Sequence, residues 1–325
     1  VLLLQSSDLG LGLFIVGLAL AMLAVEPFIG LLVYILFTYT GPQAYVPALA
    51  GLRVMLVIGG ATLVSMLARR VLVADTPQTK IGPAGYLLLW FLLAIIASHL
   101  AHLEFAQAFS SATDILSHLI LCFLIMKLVV NKNRLRYAFI AVFVGTVALA
   151  TQGIMQHLSG VTLIETPEFK GGRIAGIGQF VNPNMLAIAL VCGLPIGYAL
   201  LRRSRAVVAR VLIPVGMAQC VFALYLTNSR SGALTMGVVV ALALVRWLGP
   251  VRGLILGVAI FLLIFQFGPS RMAMMSPTEA SAFGRLVAWD MGYQIFFQNP
   301  LFGAGADSWY AKYQALVAHN SFLHC

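Results

Sequence analysis

The sequence predicts an all-α, polytopic membrane protein with about ten transmembrane helices and a large external loop that contains an amphipathic helix. Its 325 residues are 61% hydrophobic and only 9% charged, whereas a soluble domain carries roughly 25% charged residues. A chain with so few charges does not provide a water-soluble surface. Its apolar residues also fall into runs separated by short polar gaps, and each crossing needs roughly 20 apolar residues.

Basic residues predict the orientation of these runs. The net charge of +10 suggests nucleic acid at first sight, but 13 of the 20 Lys and Arg residues lie in four short gaps. These gaps, residues 69–80, 127–136, 202–210 and 246–252, hold three, four, four and two of them. Positive charge in short loops is typical of the cytoplasmic side of a membrane protein. We therefore expect no nucleic-acid partner and place the four gaps in the cytoplasm.

The predicted spans follow in order along the chain. Two short apolar runs, 11–25 and 27–40, meet at Glu26 and form either two thin helices or one broken, re-entrant pair. Further spans are predicted at 52–67, 86–98, 115–130, 138–155, 185–201, 211–226, 233–247 and 253–267. Alternation of the sides then places 99–104, 156–182, 227–232 and everything after 267 outside the membrane.

This topology divides the chain into a multi-span transmembrane domain, 1–267, with an external loop at 156–182, and an external loop at 268–325. The second loop is the longest segment that is neither a span nor a short turn. A loop in this position should be closed by further spans, and we expect those spans to be missing from this sequence.

Local signals predict helix starts on the external side. Pro183 suits a first helical position and Asn182 an N-cap. In the final loop, Ser276 and Glu279 form a capping box for a strongly apolar helix that we expect at the membrane surface. This helix carries Arg285 and Trp289 on one face, and it should stop at residues 299–305, which contain a proline and two glycines.

Arg230 is the first candidate for chemistry. It lies in the sequence Ser-Arg-Ser-Gly, 229–232, at the start of a span and on the external side, where the positive-inside pattern does not explain it. Its planar guanidinium suits phosphate, and free N–H groups at a helix N-terminus add to an anion site. The alternative is an interfacial arginine that reaches to lipid headgroups. The same two interpretations apply to Arg285.

His319 is the candidate general base, because histidine titrates near neutral pH. A structural histidine is the alternative, and Asp290 or Asp307 could orient the ring.

Arg173 precedes residues 176–184, whose glycines predict a tight, exposed loop. No dinucleotide motif, Walker sequence, HExxH or GxSxG occurs, and the external acids do not pair at metal-ligand spacing. We therefore predict no cofactor and no metal.

Taken in order, several of these segments resemble the O-antigen ligase/polymerase superfamily of bacterial envelope glycosyltransferases. The resemblance covers 173–321, whereas the N-terminal third matches only in hydropathy. It is carried by the segments 180–184, 229–232, 284–289, 299–305 and 318–321, which read FVNPN, SRSG, GRLVAW, NPLFGAG and AHNS.

The resemblance implies a multi-pass inner-membrane enzyme with a GT-C-like fold and a periplasmic active site, independent of nucleotide sugars and metals. The donor would be an undecaprenyl-diphosphate-linked glycan. The acceptor would be lipid A-core, another glycan or a protein hydroxyl. Arg230 and Arg285 fall on the family's functional arginines and His319 on its loop histidine. Residues within the resembling range, 173–321, form the expected substrate-binding set: Arg173, Asn182, Asn184, Ser229, Trp289 and Asn320.

The chemistry is consistent with these residues. A lipid diphosphate is a dianionic leaving group, which positive charge near the bilayer stabilises better than it would in water. Attack opposite the leaving group would invert the anomeric carbon. The acceptor distinguishes an O-antigen ligase from an O-antigen or exopolysaccharide polymerase or a protein O-glycosylation ligase, and the sequence leaves all three open. A transporter of lipid-linked glycan or solute, which would need ionisable residues in mid-span, and a non-catalytic scaffold are the hypotheses from other classes.

Overall fold

A computed structural model describes residues 26–46, 49, 53–72, 82–160, 172–267 and 280–305. Several sequence-based expectations lie outside these residues: the first apolar run at 11–25, the capping box at 276–279, and His319 with Asn320.

The described part of the chain contains ten α-helices and two short 3₁₀ turns, with no strand among its residues. The helices are α1 Pro27–Thr40, α2 Val54–Leu72, α3 Pro83–Ala101, α4 Phe105–Leu128, α5 Lys132–Ser159, α6 Pro183–Arg203, α7 Val207–Leu226, α8 Arg230–Leu248, α9 Pro250–Phe267 and α10 Ala280–Gln298. Seven of them, α2 to α8, are long and apolar enough to cross a membrane, and α1 and α9 are shorter apolar helices. The predicted all-α, multi-pass class is confirmed.

The helices extend beyond the apolar runs that predicted them. The run at 138–155 is the middle of α5, which begins at Lys132 with Asn131 as its N-cap and continues to Ser159. The Asn131 side chain accepts a hydrogen bond of 2.8 Å from the backbone N–H of Arg134. Hydropathy marks only the apolar part of a span, whereas backbone hydrogen bonding continues into the polar turns at either end.

The helices group into two compact units that do not follow chain order. One comprises Val1–Met66 and Leu128–Ala273, and the other comprises Leu67–Lys127 and Met274–Cys325. The final segment thus belongs with α3 and α4. The division into a transmembrane domain, 1–267, and an external loop, 268–325, stays a prediction.

In the first unit, α5, α6 and α7 pack around a core of buried aliphatic residues. Small residues allow the close approach. A Cβ at Gly193 of α6 would lie 2.6 Å from a Thr146 methyl on α5, and one at Gly197 would lie 2.6 Å from the Phe143 ring. Close packing through glycine is a common source of helix association in membranes, where lipid is as apolar as the side chains.

One end of this unit gathers the polar termini. The C-terminal ends of α5 and α7 and the N-terminal ends of α6 and α8 meet residues 172–182, which connect to α6. Tyr39 of α1 stacks on Phe180 of this connection, with ring centroids 5.3 Å apart. The external end expected from charge distribution is therefore where the candidate residues of this unit lie.

Candidate functional site

The turn between α7 and α8 is short and is held by several hydrogen bonds. Thr227 is buried, and its hydroxyl donates to the Leu224 carbonyl at 2.7 Å. Asn228 adopts a left-handed conformation with φ 49°, which asparagine tolerates better than most residues. Ser229 is the N-cap of α8, and its Oγ accepts from the Gly232 N–H at 3.1 Å. Arg230 is therefore the first residue of α8, as the sequence predicted.

Arg173 joins this turn to the start of α6. Its Nε donates to the Thr227 carbonyl at 2.9 Å, and its Nη2 donates to Asn184 Oδ1 at 3.3 Å. The same Asn184 oxygen accepts from the Ser229 hydroxyl at 2.8 Å. A positive charge is favourable at a helix C-terminus, where the carbonyl groups are exposed. Three of the predicted substrate-binding residues thus form one hydrogen-bonded network, which we call the Arg173 network.

The start of α6 has the predicted capping geometry. Pro183 is the first helical residue, and the exposed Asn182 side chain accepts a 2.8 Å hydrogen bond from the Asn184 backbone N–H. The two asparagines therefore have different surroundings. Asn182 caps the helix at the surface, and Asn184 points its oxygen into the Arg173 network.

The loop before α6 is tight, as expected, but it is not exposed throughout. Ile174 and Ile177 are buried, and so is Gly176 between them. The Ile174 N–H donates to the Leu226 carbonyl at 3.4 Å, and a Cβ at Gly176 would meet the backbone and side chain of Phe180 within 2.8 Å. The exposed residues of the loop are Gly172, Gly178, Gln179 and Asn182, whereas the two isoleucines contribute to the core.

Arg230 is half-buried at the first position of α8. The helix dipole disfavours a cation at this terminus, and the first turn of α8 has no acidic residue. The helix dipole therefore gives no stability to arginine at this position. An anion bound at the same terminus would be favoured by both the guanidinium and the dipole.

The second unit contains Arg285 and Trp289, one turn apart in α10. Trp289 is partly exposed, while Ala288 and Ile295 are buried on one face of the helix. Asp290, one of the two residues considered for orienting His319, accepts a 3.0 Å hydrogen bond from Gln294 Nε2. The helix ends at Gln298, and Asn299 Nδ2 donates to the Ile295 carbonyl at 3.2 Å. The predicted stop at 299–305 is confirmed.

The structure thus gathers Arg173, Asn184 and Ser229 beside Arg230 in one unit, and it places Arg285 and Trp289 on one helix of the other. Sequence reasoning missed Thr227, whose carbonyl accepts the hydrogen bond from Arg173. The available signal was a threonine directly after the apolar run at 211–226. Among the described residues, no group of His, Cys, Asp or Glu has the arrangement of a metal site.

Comparison with protein families gives a match for the C-terminal third. Residues 215–324 match the family model described as O-antigen ligase. This segment contains most of α7, all of α8 to α10, and the positions of Arg230, Arg285 and His319. Neither the curated proteins nor the solved structures give a significant match.

The match supports an O-antigen ligase/polymerase-type activity, a glycosyltransferase-like function that uses a lipid-linked glycan and an acceptor. Together with the seven candidate spans it identifies a multi-pass membrane protein of glycan biosynthesis. The resemblance to the O-antigen ligase/polymerase superfamily is thus confirmed over residues 215–324, which match the O-antigen ligase family.

Proposed function

We propose that this protein transfers a glycan from an undecaprenyl-diphosphate-linked donor to an acceptor hydroxyl at the periplasmic face of the bacterial inner membrane. The observation that carries the proposal is the O-antigen ligase match over residues 215–324, which includes all three proposed catalytic residues. The position of Arg230 at the N-terminus of α8 adds a physical argument, because the helix N-terminus and a guanidinium both favour a bound anion.

In this proposal, Arg230 and Arg285 bind the diphosphate of the donor. The leaving group gains negative charge as the glycosidic bond breaks, and fixed cations stabilise that charge without reorganisation. His319 accepts the proton of the attacking hydroxyl, a role that contributes about 10²–10⁴-fold in rate. Attack from the face opposite the diphosphate inverts the anomeric carbon. The two arginines provide the charge neutralisation, so the proposed mechanism involves no metal.

Residues around the arginines and the histidine form the proposed substrate-binding set. Asn184 and Ser229 belong to the Arg173 network, in which Asn184 Oδ1 accepts hydrogen bonds from Arg173 and Ser229. Besides binding substrate, they therefore fix the start of α8. Asn182 is exposed at the start of α6. Trp289 is partly exposed on α10, and an aromatic ring suits the apolar face of a sugar. Asn320 is proposed to act beside His319.

The acceptor is proposed to be a hydroxyl of lipid A-core, which makes the protein an O-antigen ligase. A growing glycan as acceptor would make it an O-antigen or exopolysaccharide polymerase, and a protein hydroxyl would make it an O-glycosylation ligase. A deletion strain separates these activities. Loss of glycan attachment supports a ligase, whereas loss of chain length supports a polymerase.

A transporter is the second candidate, and one observation favours it. Asp114 and His118 lie one turn apart within α4, which is a candidate span, and both are exposed. Ionisable residues within spans frequently mark ion or substrate pathways. A transporter driven by these residues would depend on an ion gradient, whereas the proposed transfer would not.

Proteoliposomes that contain the purified protein, a lipid-linked glycan donor and an acceptor test both candidates. We expect the acceptor to gain the glycan without ATP and without an ion gradient, and the His319→Ala protein to show no transfer. Movement of donor across the bilayer with no change in the acceptor would contradict the proposal and favour the transporter.

A further inference from the structure

The turn between α3 and α4 contains a buried histidine held on both sides. His99 is 1% exposed, with Nδ1 3.0 Å from Glu104 Oε2 and Nε2 3.1 Å from Ser111 Oγ. An ionised carboxylate only accepts, so Nδ1 donates its proton to Glu104. The ring is thus fixed by a partner at each nitrogen. Leu103 in the same turn has φ 59°, the left-handed conformation that commonly ends a helix, and the Glu104 N–H donates to the His99 carbonyl at 3.0 Å.

This turn binds the segment that follows α10. His102 Nε2 lies 2.8 Å from the Gly303 carbonyl. Because a carbonyl only accepts, His102 donates this hydrogen bond. In the reverse direction, the Gly305 backbone N–H donates to the Ser98 hydroxyl at 3.0 Å. Two bonds of opposite direction therefore join residues 98–104 to residues 303–305.

Gly305 fits this contact only because it has no side chain. Its φ is +97°, and a Cβ there would lie 3.0 Å from His99 Nδ1 and 3.2 Å from Glu104 Oε2. Both the backbone conformation and the available space therefore require glycine. The His99–Glu104 pair forms the wall against which residue 305 lies.

We propose that residues Ser98 to Glu104, here named the α3–α4 latch, are positioning residues for glycan transfer. The latch holds residues 303–305, which join α10, with Arg285 and Trp289, to the segment that contains His319. This inference rests on the proposed function. A misplacement of about 1 Å in a supporting element lowers catalysis by as much as about 100-fold, so a fixed end for α10, the helix that carries Arg285 and Trp289, matters to the rate.

The latch does not itself have the exposure of an active site. Ser111, His99 and Glu104 are joined in series by hydrogen bonds, an arrangement that resembles a nucleophilic triad. Ser111, however, is 6% exposed and His99 1% exposed. A substrate does not reach side chains that are buried to this extent, so positioning is the role that fits the burial.

Hydrogen exchange tests the contact independently of activity. In His102→Ala and Gly305→Ala, we expect the exchange rate over residues 299–305 to rise by about 2–12-fold, the range that a lost hydrogen bond predicts. His102→Gln keeps a side-chain N–H donor and should retain most of the protection. Gly249→Ala is the matched control, because Gly249 has φ +85° with no atom within 4 Å of a Cβ. Unchanged exchange in both His102→Ala and Gly305→Ala would overturn the latch.

Transfer kinetics test the positioning role. We expect His102→Ala and Gly305→Ala to lower kcat by about 10–100-fold with little change in donor KM, and His102→Gln to recover most of kcat. His157→Ala, which changes an exposed histidine at the end of α5, should match the parent. Faster exchange with unchanged kcat would overturn the positioning role while the proposed function stands. A parent protein that transfers no glycan would overturn both the positioning role and the proposed function. The exchange measurements would still test whether the latch contacts residues 303–305.

Discussion

Replacing Arg173 with alanine should destabilise the protein by about 2 kcal/mol. The Nε bond to the Thr227 carbonyl is short, at 2.9 Å, and a hydrogen bond from a charged donor contributes about 1.5–3 kcal/mol. Because the guanidinium is half-buried, we take the lower end, about 1.5 kcal/mol. The Nη2 bond to Asn184 is longer, at 3.3 Å, and adds about 0.5 kcal/mol. In Arg173→Ala, Asn184 Oδ1 still accepts the hydrogen bond from the Ser229 hydroxyl. Loss of the Arg173 bond therefore does not leave this oxygen unpaired.

Arg173→Lys should cost about half as much, roughly 1 kcal/mol, because an ammonium group does not make both bonds in the geometry of the planar guanidinium. Arg210→Ala is the matched control. Its Nε also donates to a carbonyl near a helix end, that of Ser204 at 3.3 Å, but on the predicted cytoplasmic side. It should lower stability to a smaller extent and leave transfer unchanged.

Denaturant unfolding of the purified proteins in detergent, followed by far-UV circular dichroism, measures these differences. Hydrogen exchange over residues 172–182 should rise in Arg173→Ala and not in Arg210→Ala. A stability within about 0.5 kcal/mol of the parent, the range of an ordinary surface substitution, would refute the argument that Arg173 connects the loop to α7 and α6.

Three further predictions concern the proposed catalytic residues and the packing. His319→Ala should reach the membrane in normal amounts but lose about 10²–10⁴-fold in transfer rate, and parent-like transfer would exclude the general-base role. Lysine at Arg230 and Arg285 should restore little activity, since a point charge does not reproduce bidentate phosphate binding; full activity of the double lysine variant would reduce both to anchors. Gly193→Ala should lower stability by about 1–3 kcal/mol through overpacking against α5, whereas Gly60→Ala, with open space at its Cβ, should be neutral or slightly stabilising in the same unfolding measurement.

The class of fold and the helix starts were predictable because their causes are local. Composition and apolar runs require helices in a membrane, and a cap depends on residues within one turn. Asn182 and Pro183 at α6 lie where capping preferences placed them. The same local character limits the prediction, since apolar runs do not show how far a helix continues into its polar ends.

The contacts that shape the candidate site were not predictable. Arg173 donates to a backbone carbonyl 54 residues away. The sequence does not indicate which carbonyl at the external end would accept this hydrogen bond. His99 shows the same limit. The segment 99–104 was expected outside the membrane, and nothing in the sequence showed that Ser111 would face His99 from the next helix and bury it. Periodicity describes one element, whereas these pairings depend on how elements pack.

The Arg173 network also has a consequence for biogenesis. Two groups in the loop at 172–177 donate hydrogen bonds to the end of α7. The Ile174 N–H donates to the Leu226 carbonyl, and Arg173 Nε donates to the Thr227 carbonyl. At a translation rate of about 5–20 residues per second, Thr227 emerges roughly 3–11 s after Arg173. During that interval Arg173 and the Ile174 N–H lack these partners, while α6 is already available for insertion. The loop therefore acquires its final conformation only once α7 has joined α5 and α6, so assembly of this end of the protein follows the insertion of a later helix.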